Sequence, residues 1–453
     1  MNNSDFINQP IRKLIIKLAV PAALGYLFNT FYQIVDTYYA GIVSSDAIAA
    51  LNLSYPIYFV IMAVGYGFSS GGTALIANEL GKNNKAKARL YAGQLISLCF
   101  ILTVLLTFLG LKMAPRLLTT LGATDGYLKI SLSYINVIIT GTIFFILVLN
   151  FSAILNAKGD TKTYRNFLMV GFFLNLIFNP ALMYGWIGLP ALNFQGIALA
   201  TVIIQLIGTL YLGSRIAKEY LFHSGFFKTL IPQKEFLDLI KQGVPAAFNM
   251  MTMSINLFTI TYYVSYFGKE NVAAFGIGAR IEDVSFLAIL GLMTATLSIV
   301  GHNNGAGRID RVLETLKLSL KYGFVIVSIS SAIYLLLATP LVGLFTSDLE
   351  VVDVGAGYLR IAALMSWAYV LLLINVSTLQ GMKKPSIGVW VSLYRHIIAP
   401  NIVFYLLTKV FSLGVEGIWF GLFFINWIGA LSIWFYTRKM LRKVKSHHEH
   451  QIK

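Results

Sequence analysis

Hydrophobic positions in this chain neither alternate nor form narrow amphipathic stripes. They come in long, unbroken runs. Residues 47–78, 90–111, 130–157, 166–214, 242–268, 284–307, 322–347, 361–382 and 417–437 contain no Asp, Glu, Lys or Arg. Runs of this length predict helices that cross a bilayer, which takes about 20 apolar residues per crossing. A membrane β-barrel would show alternating polarity in segments of about ten residues, and no such pattern is present. The run 166–214 is too long for one crossing and is punctuated by Asn179-Pro180 and by Gly185-Trp186-Ile187-Gly188-Leu189-Pro190, both breaker signals. It is read as two helices. A first span over about 14–43 and the stretch between Arg395 and Lys409 bring the expected total to twelve.

Charge changes the picture by giving the spans an orientation. Of 453 residues, 57% are hydrophobic and 12% are charged, against about 25% charged in a soluble domain. An ordinary cytosolic enzyme and a disordered chain are both excluded. The net charge of +16 would suggest nucleic acid in a soluble protein, but here it collects in alternate loops. Lys82, Lys85, Lys87 and Arg89 fall in one set of connections, as do Lys158, Lys162 and Arg165, and Arg308 and Arg311. The other set is poor in Lys and Arg. This bias places the basic loops in the cytoplasm and, with an even span count, puts both termini there. The expected location is the plasma or inner membrane. The N-terminus reads as a cytoplasmic tail and not as a cleaved signal. The single cysteine, Cys99, allows no internal disulfide.

The chain also repeats itself at an offset of 224 residues. Val20-Pro21-Ala22-Ala23 returns as Val244-Pro245-Ala246-Ala247, Tyr38-Tyr39 as Tyr262-Tyr263, and Gly81 as Gly305. Later the offset slips by a few residues, so that Pro180 pairs with Pro400 and Gln195-Gly196 with Glu416-Gly417. Two parallel six-helix repeats follow, an N-terminal lobe over 1–222 and a C-terminal lobe over 223–453. Such duplicated bundles are the architecture of alternating-access carriers.

Several motifs give the repeat a family likeness. Leu18-Ala19-Val20-Pro21 followed by Gln33-Ile34-Val35-Asp36-Thr37-Tyr38-Tyr39-Ala40-Gly41 resembles the first helix of multidrug and toxic compound extrusion (MATE) transporters. So do Leu155-Asn156-Ala157-Lys158-Gly159-Asp160, Leu174-Asn175-Leu176-Ile177-Phe178-Asn179-Pro180, Gln195-Gly196-Ile197-Ala198-Leu199-Ala200-Thr201 and Gly278-Ala279-Arg280-Ile281-Glu282, in the family order. The first-helix acid makes the DinF-like prokaryotic branch the one most resembled. Acids that another branch carries in its seventh and tenth helices are absent, with Asn249, Asn256, Ser366 and Asn375 offering polar groups there instead. The resemblance implies an all-α membrane fold of twelve helices in two pseudo-symmetric bundles. It implies a secondary-active efflux antiporter and no enzymatic activity. The partners would be amphipathic or cationic drugs, a coupling ion and the bilayer, with no nucleic acid and no cofactor. A monomer is expected.

Among single residues, Asp36 carries the most chemistry. A carboxylate inside a span costs about 2.5–3.5 kcal/mol and normally faces the protein interior or a water-filled cavity. Such a group can bind and release a proton. Asn29, Tyr32 and Gln33 precede it on the same helical face, and are read as cavity residues. Asn175 and Asn179, four apart, share a face of the fifth helix. In the DinF-like branch the matching positions, with Thr201 in the sixth helix, line the cavity with the first-helix acid, and Asn150 and Ser152 on the fourth helix are further candidates. Some relatives carry an aspartate at the position of Asn179, associated with a sodium site. Here the cluster has one carboxylate and neutral amides, which favours protons, with sodium at Asp36, Asn175, Asn179 and Thr201 as the alternative. Pro21 breaks a helical hydrogen bond and is read as a hinge.

The second half has no counterpart of Asp36, since Ile260 occupies its place. It has instead a charged group at Arg280, Glu282 and Asp283, with Arg280 and Asp283 spaced to pair on one face, and the lone cations Arg360 and Arg395. This group is read either as ion pairs that hold the lobe together or as a second coupling site. Met250, Met251 and Met253 suit an apolar pocket or lipid. His447, His448 and His450 read as a solvated tail. A lipid-linked oligosaccharide flippase, from a distant branch, remains as a further alternative and would need a cationic cavity.

Overall fold

A computed structural model describes residues 3–123, 125–188, 190–217, 220 and 225–452. Among these there is no β-strand. The helices are α1 (Asn3–Asn8), α2 (Ile11–Val43), α3 (Ser45–Gly81), α4 (Lys85–Thr120), α5 (Asp125–Thr140), α6 (Thr142–Ala157), α7 (Thr161–Tyr184) and α8 (Asn193–Ile216) in the first half. The second half has α9 (Phe226–Leu230), α10 (Lys234–Ser265), α11 (Lys269–Gly305), α12 (Ile309–Gly343), α13 (Leu349–Gly381), α14 (Ser386–Leu393), α15 (Ala399–Tyr405) and α16 (Glu416–Ile452). Ten helical segments are long and apolar enough to cross a membrane on their own, and α5 with α6 makes an eleventh. The 32 residues of α10, at about 1.5 Å each, reach about 48 Å and suffice for a twelfth. Its middle is more polar than the rest, with Asn249, Thr252, Ser254 and Asn256.

Two details depart from the expected spans. The apolar run 130–157 is not one straight helix, because α5 and α6 meet at a 47° bend. Gly141 lies at the bend, and a Cβ there would stand 2.5 Å from Val202 of α8, so only glycine admits so close an approach. The run 166–214 does divide in two, but Asn179-Pro180 is not the break. α7 continues through Pro180 and ends at Gly185, whose φ of 72° forms a left-handed cap. Proline cannot donate to the carbonyl four residues back, which is that of Leu176. The Tyr39 hydroxyl donates to this carbonyl instead, at 3.4 Å.

Polar side chains begin several helices. Ser44, Asn84 and Asp160 each accept a hydrogen bond from the backbone N–H three residues on, satisfying amides that the first turn leaves free. The repeat is legible in the backbone as well. Asn83 (φ 61°) and Gly307 (φ 71°) are equivalent left-handed residues after the second helix of each repeat. Gly159 (φ 76°) and Lys383 (φ 61°) are equivalent after the fourth.

The chain forms two compact units. Unit 1 is Leu24–Ala247, and unit 2 is Asn2–Ala23 with Phe248–Lys453. The lobe boundary expected between 222 and 223 lies outside the described residues. Two helices therefore belong to both units: α2 changes over three residues after Pro21, and α10 three residues after Pro245. Within unit 2 the early segment is held firmly. Arg311 donates to the carbonyls of Phe6 (3.0 Å) and Gln9 (2.6 Å), and the Phe6 ring stacks on His302 at 3.8 Å. Within unit 1 the segment after 225 is held by Gln94, which donates to the carbonyls of Thr229 and Ile231 and accepts from the Gln233 amide. Tyr91 adds a 2.7 Å hydrogen bond to Asp238.

Candidate functional site

Asp36 lies seven residues before the end of α2 and is only 8% exposed. Its Oδ1 accepts from Asn175 Nδ2 at 2.8 Å and from Asn179 Nδ2 at 2.9 Å. The Thr201 hydroxyl donates to Oδ2 at a long 3.4 Å. Asn179 also donates to Asn175 Oδ1 at 3.1 Å, which fixes the two amides relative to one another. The helical spacing of Asn175 and Asn179 on α7 and the arrival of α8 beside it bring three donors to one carboxylate. The four residues expected to act together are brought together.

Above the carboxylate opens a cavity of about 180 Å³. Asn29, Tyr32, Gln33, Asp36 and Thr201 line it. Asn175 and Asn179 are fully buried behind Asp36. The opposite walls come from Tyr55 and Tyr58 of α3, Tyr134 of α5, Phe167 of α7 and Gln205 of α8. Sequence reasoning missed these aromatic residues. Their signal was available in principle, since Tyr55 and Tyr58 are three apart on an otherwise apolar helix and Tyr134 recurs as Tyr358 in the repeat. Among the described lining residues there is no Lys or Arg, so the single formal charge is negative.

Two expected cavity residues are elsewhere. Asn150 and Ser152 are buried in α6 and turn back on their own helix, donating to the carbonyls of Ile146 (2.8 Å) and Leu149 (2.7 Å). Neither lines the cavity. α6 is buried on nearly every side there, where an unsatisfied polar group is costly and the nearest carbonyl is the natural partner. Pro21 lies fifteen residues before Asp36, about 22 Å along the helix axis, and α2 is helical through it.

The charged group of the second half forms no close salt bridge among the described residues, although the Arg280 charge still acts on Asp283. Arg280 and Asp283 are both exposed, and among the described residues no ion pair joins them. Glu282 is buried and accepts from the Tyr358 hydroxyl at 2.6 Å. Arg395 donates to Asn426 Oδ1 at 3.1 and 2.6 Å and stands 5.8 Å over the Tyr369 ring. Arg360 reaches only Thr339, at 3.4 Å. The amide oxygen and the ring face partly compensate the half-buried Arg395, while Arg360 is exposed. Met253 is 45% exposed. The side chains of His447, His448 and His450 lie outside the described residues.

A family model described as MatE matches the chain twice, over residues 21–181 and 245–407. The chain belongs to the MATE family. Its two matched stretches begin at Pro21 and Pro245, the pair that the internal repeat aligns. The probable multidrug resistance protein NorM of Thermotoga maritima is 28% identical over 422 residues, 91% of this chain and 89% of that protein. The FAD transporter of Shewanella oneidensis is 23% identical over 446 residues, 97% of each chain. The multidrug export protein MepA of Staphylococcus aureus is 24% identical over 360 residues, 79% of this chain and 78% of that one. Among solved structures, an outward-facing multidrug resistance MATE family transporter superposes with a TM-score of 0.90 at 22% identity, covering 98% of this chain and 99% of that one. A MATE structure in the bent conformation gives 0.92 at 21% identity, covering 99% of both chains. This MATE protein therefore has the twelve-helix, two-bundle membrane fold that its motifs imply.

Proposed function

We propose that this MATE protein is a secondary-active exporter of amphipathic, cationic small molecules, driven by inward flow of protons. The observation that carries the reading is a buried carboxylate, Asp36, with three hydrogen-bond donors behind it and an aromatic cavity without cations before it. An ionised Asp36 is the one formal charge that a cationic group entering this cavity would meet, and tyrosine faces favour such a group further. A proton on Asp36 removes that charge. Proton and cationic substrate are therefore alternative occupants, which is the thermodynamic basis of antiport. Loading the ion bends α2 near Pro21, and the change in the cavity releases the substrate outward. The protein lies in the plasma membrane with both termini in the cytoplasm.

The donor set supports a proton over sodium. Both amides offer Nδ2 to the carboxylate, Asn175 Oδ1 is already engaged, and Asn179 Oδ1 is the one amide oxygen of the pair left without a hydrogen bond. A hard cation needs several oxygen ligands, so sodium would require the amides to turn. The cavity volume of about 180 Å³ is below the ~300–1,000 Å³ of drug-sized pockets, and suits a cationic headgroup more than a whole molecule. The charge also argues against a flavin dinucleotide or a pyrophosphate-linked lipid, whose phosphates would meet a carboxylate and no Lys or Arg.

The test is export from proteoliposomes with proton and sodium gradients imposed separately. A proton gradient alone should drive uphill movement of a fluorescent cation such as ethidium, and Asp36→Asn should abolish it. Undiminished uphill export in that variant would overturn the assignment.

A further inference from the structure

The repeat makes a comparison that the family likeness does not. With the offset of 224 residues, Tyr58 and Tyr134, two walls of the Asp36 cavity, correspond to Glu282 and Tyr358. With the offset that pairs Pro180 with Pro400, Asn175 corresponds to Arg395. The second repeat, where Ile260 stands for Asp36, thus carries its buried acid on its second helix, at the position of the cavity wall Tyr58.

This place in unit 2 is filled where unit 1 is open. Phe275, equivalent to the cavity residue Leu51, stacks on Trp419 at 5.8 Å, and Tyr358 packs edge-on against both rings. Gly278, equivalent to Ser54, leaves room for the Tyr358 ring, which would lie 2.4 Å from a Cβ. Glu282 lies inside this packing at 6% exposure. Its Oε2 accepts from Tyr358, while its Oε1 is buried without a hydrogen-bond partner.

We propose that Glu282 is a second proton-binding site, housed in the C-terminal unit at the position equivalent to a wall of the Asp36 cavity. As an anion it would keep one buried oxygen with no donor, a costly arrangement. As a carboxylic acid it sheds the charge and still accepts from Tyr358. A single phenol oxygen beside it is too few ligands for a metal cation. The groups that face it are Tyr358 and Tyr369 on α13 and Tyr334 on α12, with Asp283 adjacent on α11. Two cations lie nearby: Arg280, two residues before Glu282 on α11, which acts on Asp283, and Arg395, beyond Tyr369, which is occupied by Asn426. Asp283, the next residue on α11, has an exposed side chain. Deprotonating Glu282 calls for a donor to turn toward Oε1, so proton occupancy and the packing around this carboxyl are linked.

Infrared difference spectroscopy between alkaline and acidic buffer, on the full chain in liposomes, reads this directly without any substrate. The expected result is a protonated-carboxyl band that disappears in Glu282→Gln and remains in Asp36→Asn. Tyr358→Phe, which keeps the ring and its packing, should shift that band by removing the donor and leave all others in place. A spectrum unchanged by both Glu282→Gln and Tyr358→Phe overturns the proposal. Absence of an Asp36-dependent band, with the Glu282 band present, would instead count against the proton-coupled reading of the first unit.

Discussion

Asp36 and Glu282 are buried acids in two bundles built from one repeated plan, Glu282 at the place of a wall of the Asp36 cavity, yet their surroundings are opposite. Asp36 receives three donors, from Asn175, Asn179 and Thr201, and faces open space. Glu282 receives one donor and faces packed rings. The difference comes from a few substitutions: Tyr58 for Glu282, Ser54 for Gly278, and Asn175 for Arg395. A duplicated scaffold keeps its helices while the chemistry at its centre moves from one helix to another. Two lobes of equal fold thus need not share one task.

The comparison can be broken most decisively at Asp36. Asp36→Asn should reduce proton-driven export of ethidium from proteoliposomes to background while the variant still inserts and elutes as a folded protein. Asn179→Asp is the next largest change, since a second carboxylate supplies the charge and oxygens that a hard cation needs. Export driven by a sodium gradient alone should then appear, where the unaltered protein shows none. Ile260→Asp asks whether unit 2 can accept the acid where unit 1 carries it. With Ala399 and Arg395 in place of Asn179 and Asn175, no amide pair awaits it. Thermal unfolding in detergent should show a loss of about 3 kcal/mol, the cost of a carboxylate placed in a span.

Smaller effects sharpen the contrast in packing. Gly278→Ala forces a methyl against the Tyr358 ring and should cost about 1–3 kcal/mol. The equivalent Ser54→Ala in unit 1 should cost about 1 kcal/mol or less, the worth of its one hydrogen bond to the Ala50 carbonyl. A similar loss at both sites would mean that the two interiors are equally tight. Tyr39→Phe should cost about 1 kcal/mol, because the Leu176 carbonyl freed by Pro180 loses its partner.

Much of this was legible in the residues alone. Charge-free runs locate the helices because every backbone polar group in lipid must be satisfied within its own segment. The four-residue spacing of Asn175 and Asn179 and the isolation of Asp36 in an apolar helix were enough to bring the site together. What escaped was whatever depends on the neighbouring helix. Sequence places Asn150 and Ser152 on α6, two residues apart and so on different faces, but whether either face meets a cavity or a packed wall depends on what lies opposite. Spacing pairs Arg280 with Asp283 and says nothing of Glu282, which bonds a tyrosine 76 residues away on another helix. Pro180 reads locally as a stop, yet α7 continues through it, as α2 does through Pro21, and the carbonyl it frees finds Tyr39 on another helix.

The changeover of α2 and α10 between units, each just past its proline, has a consequence for dissecting the molecule. Cutting the chain between 220 and 225 would not release two self-sufficient halves. The N-terminal fragment would leave with residues 2–23, which pack in unit 2, and the C-terminal fragment with the segment up to Ala247, which packs in unit 1. Each half is completed by an arm borrowed from the other, so the covalent halves and the folded bodies are different objects.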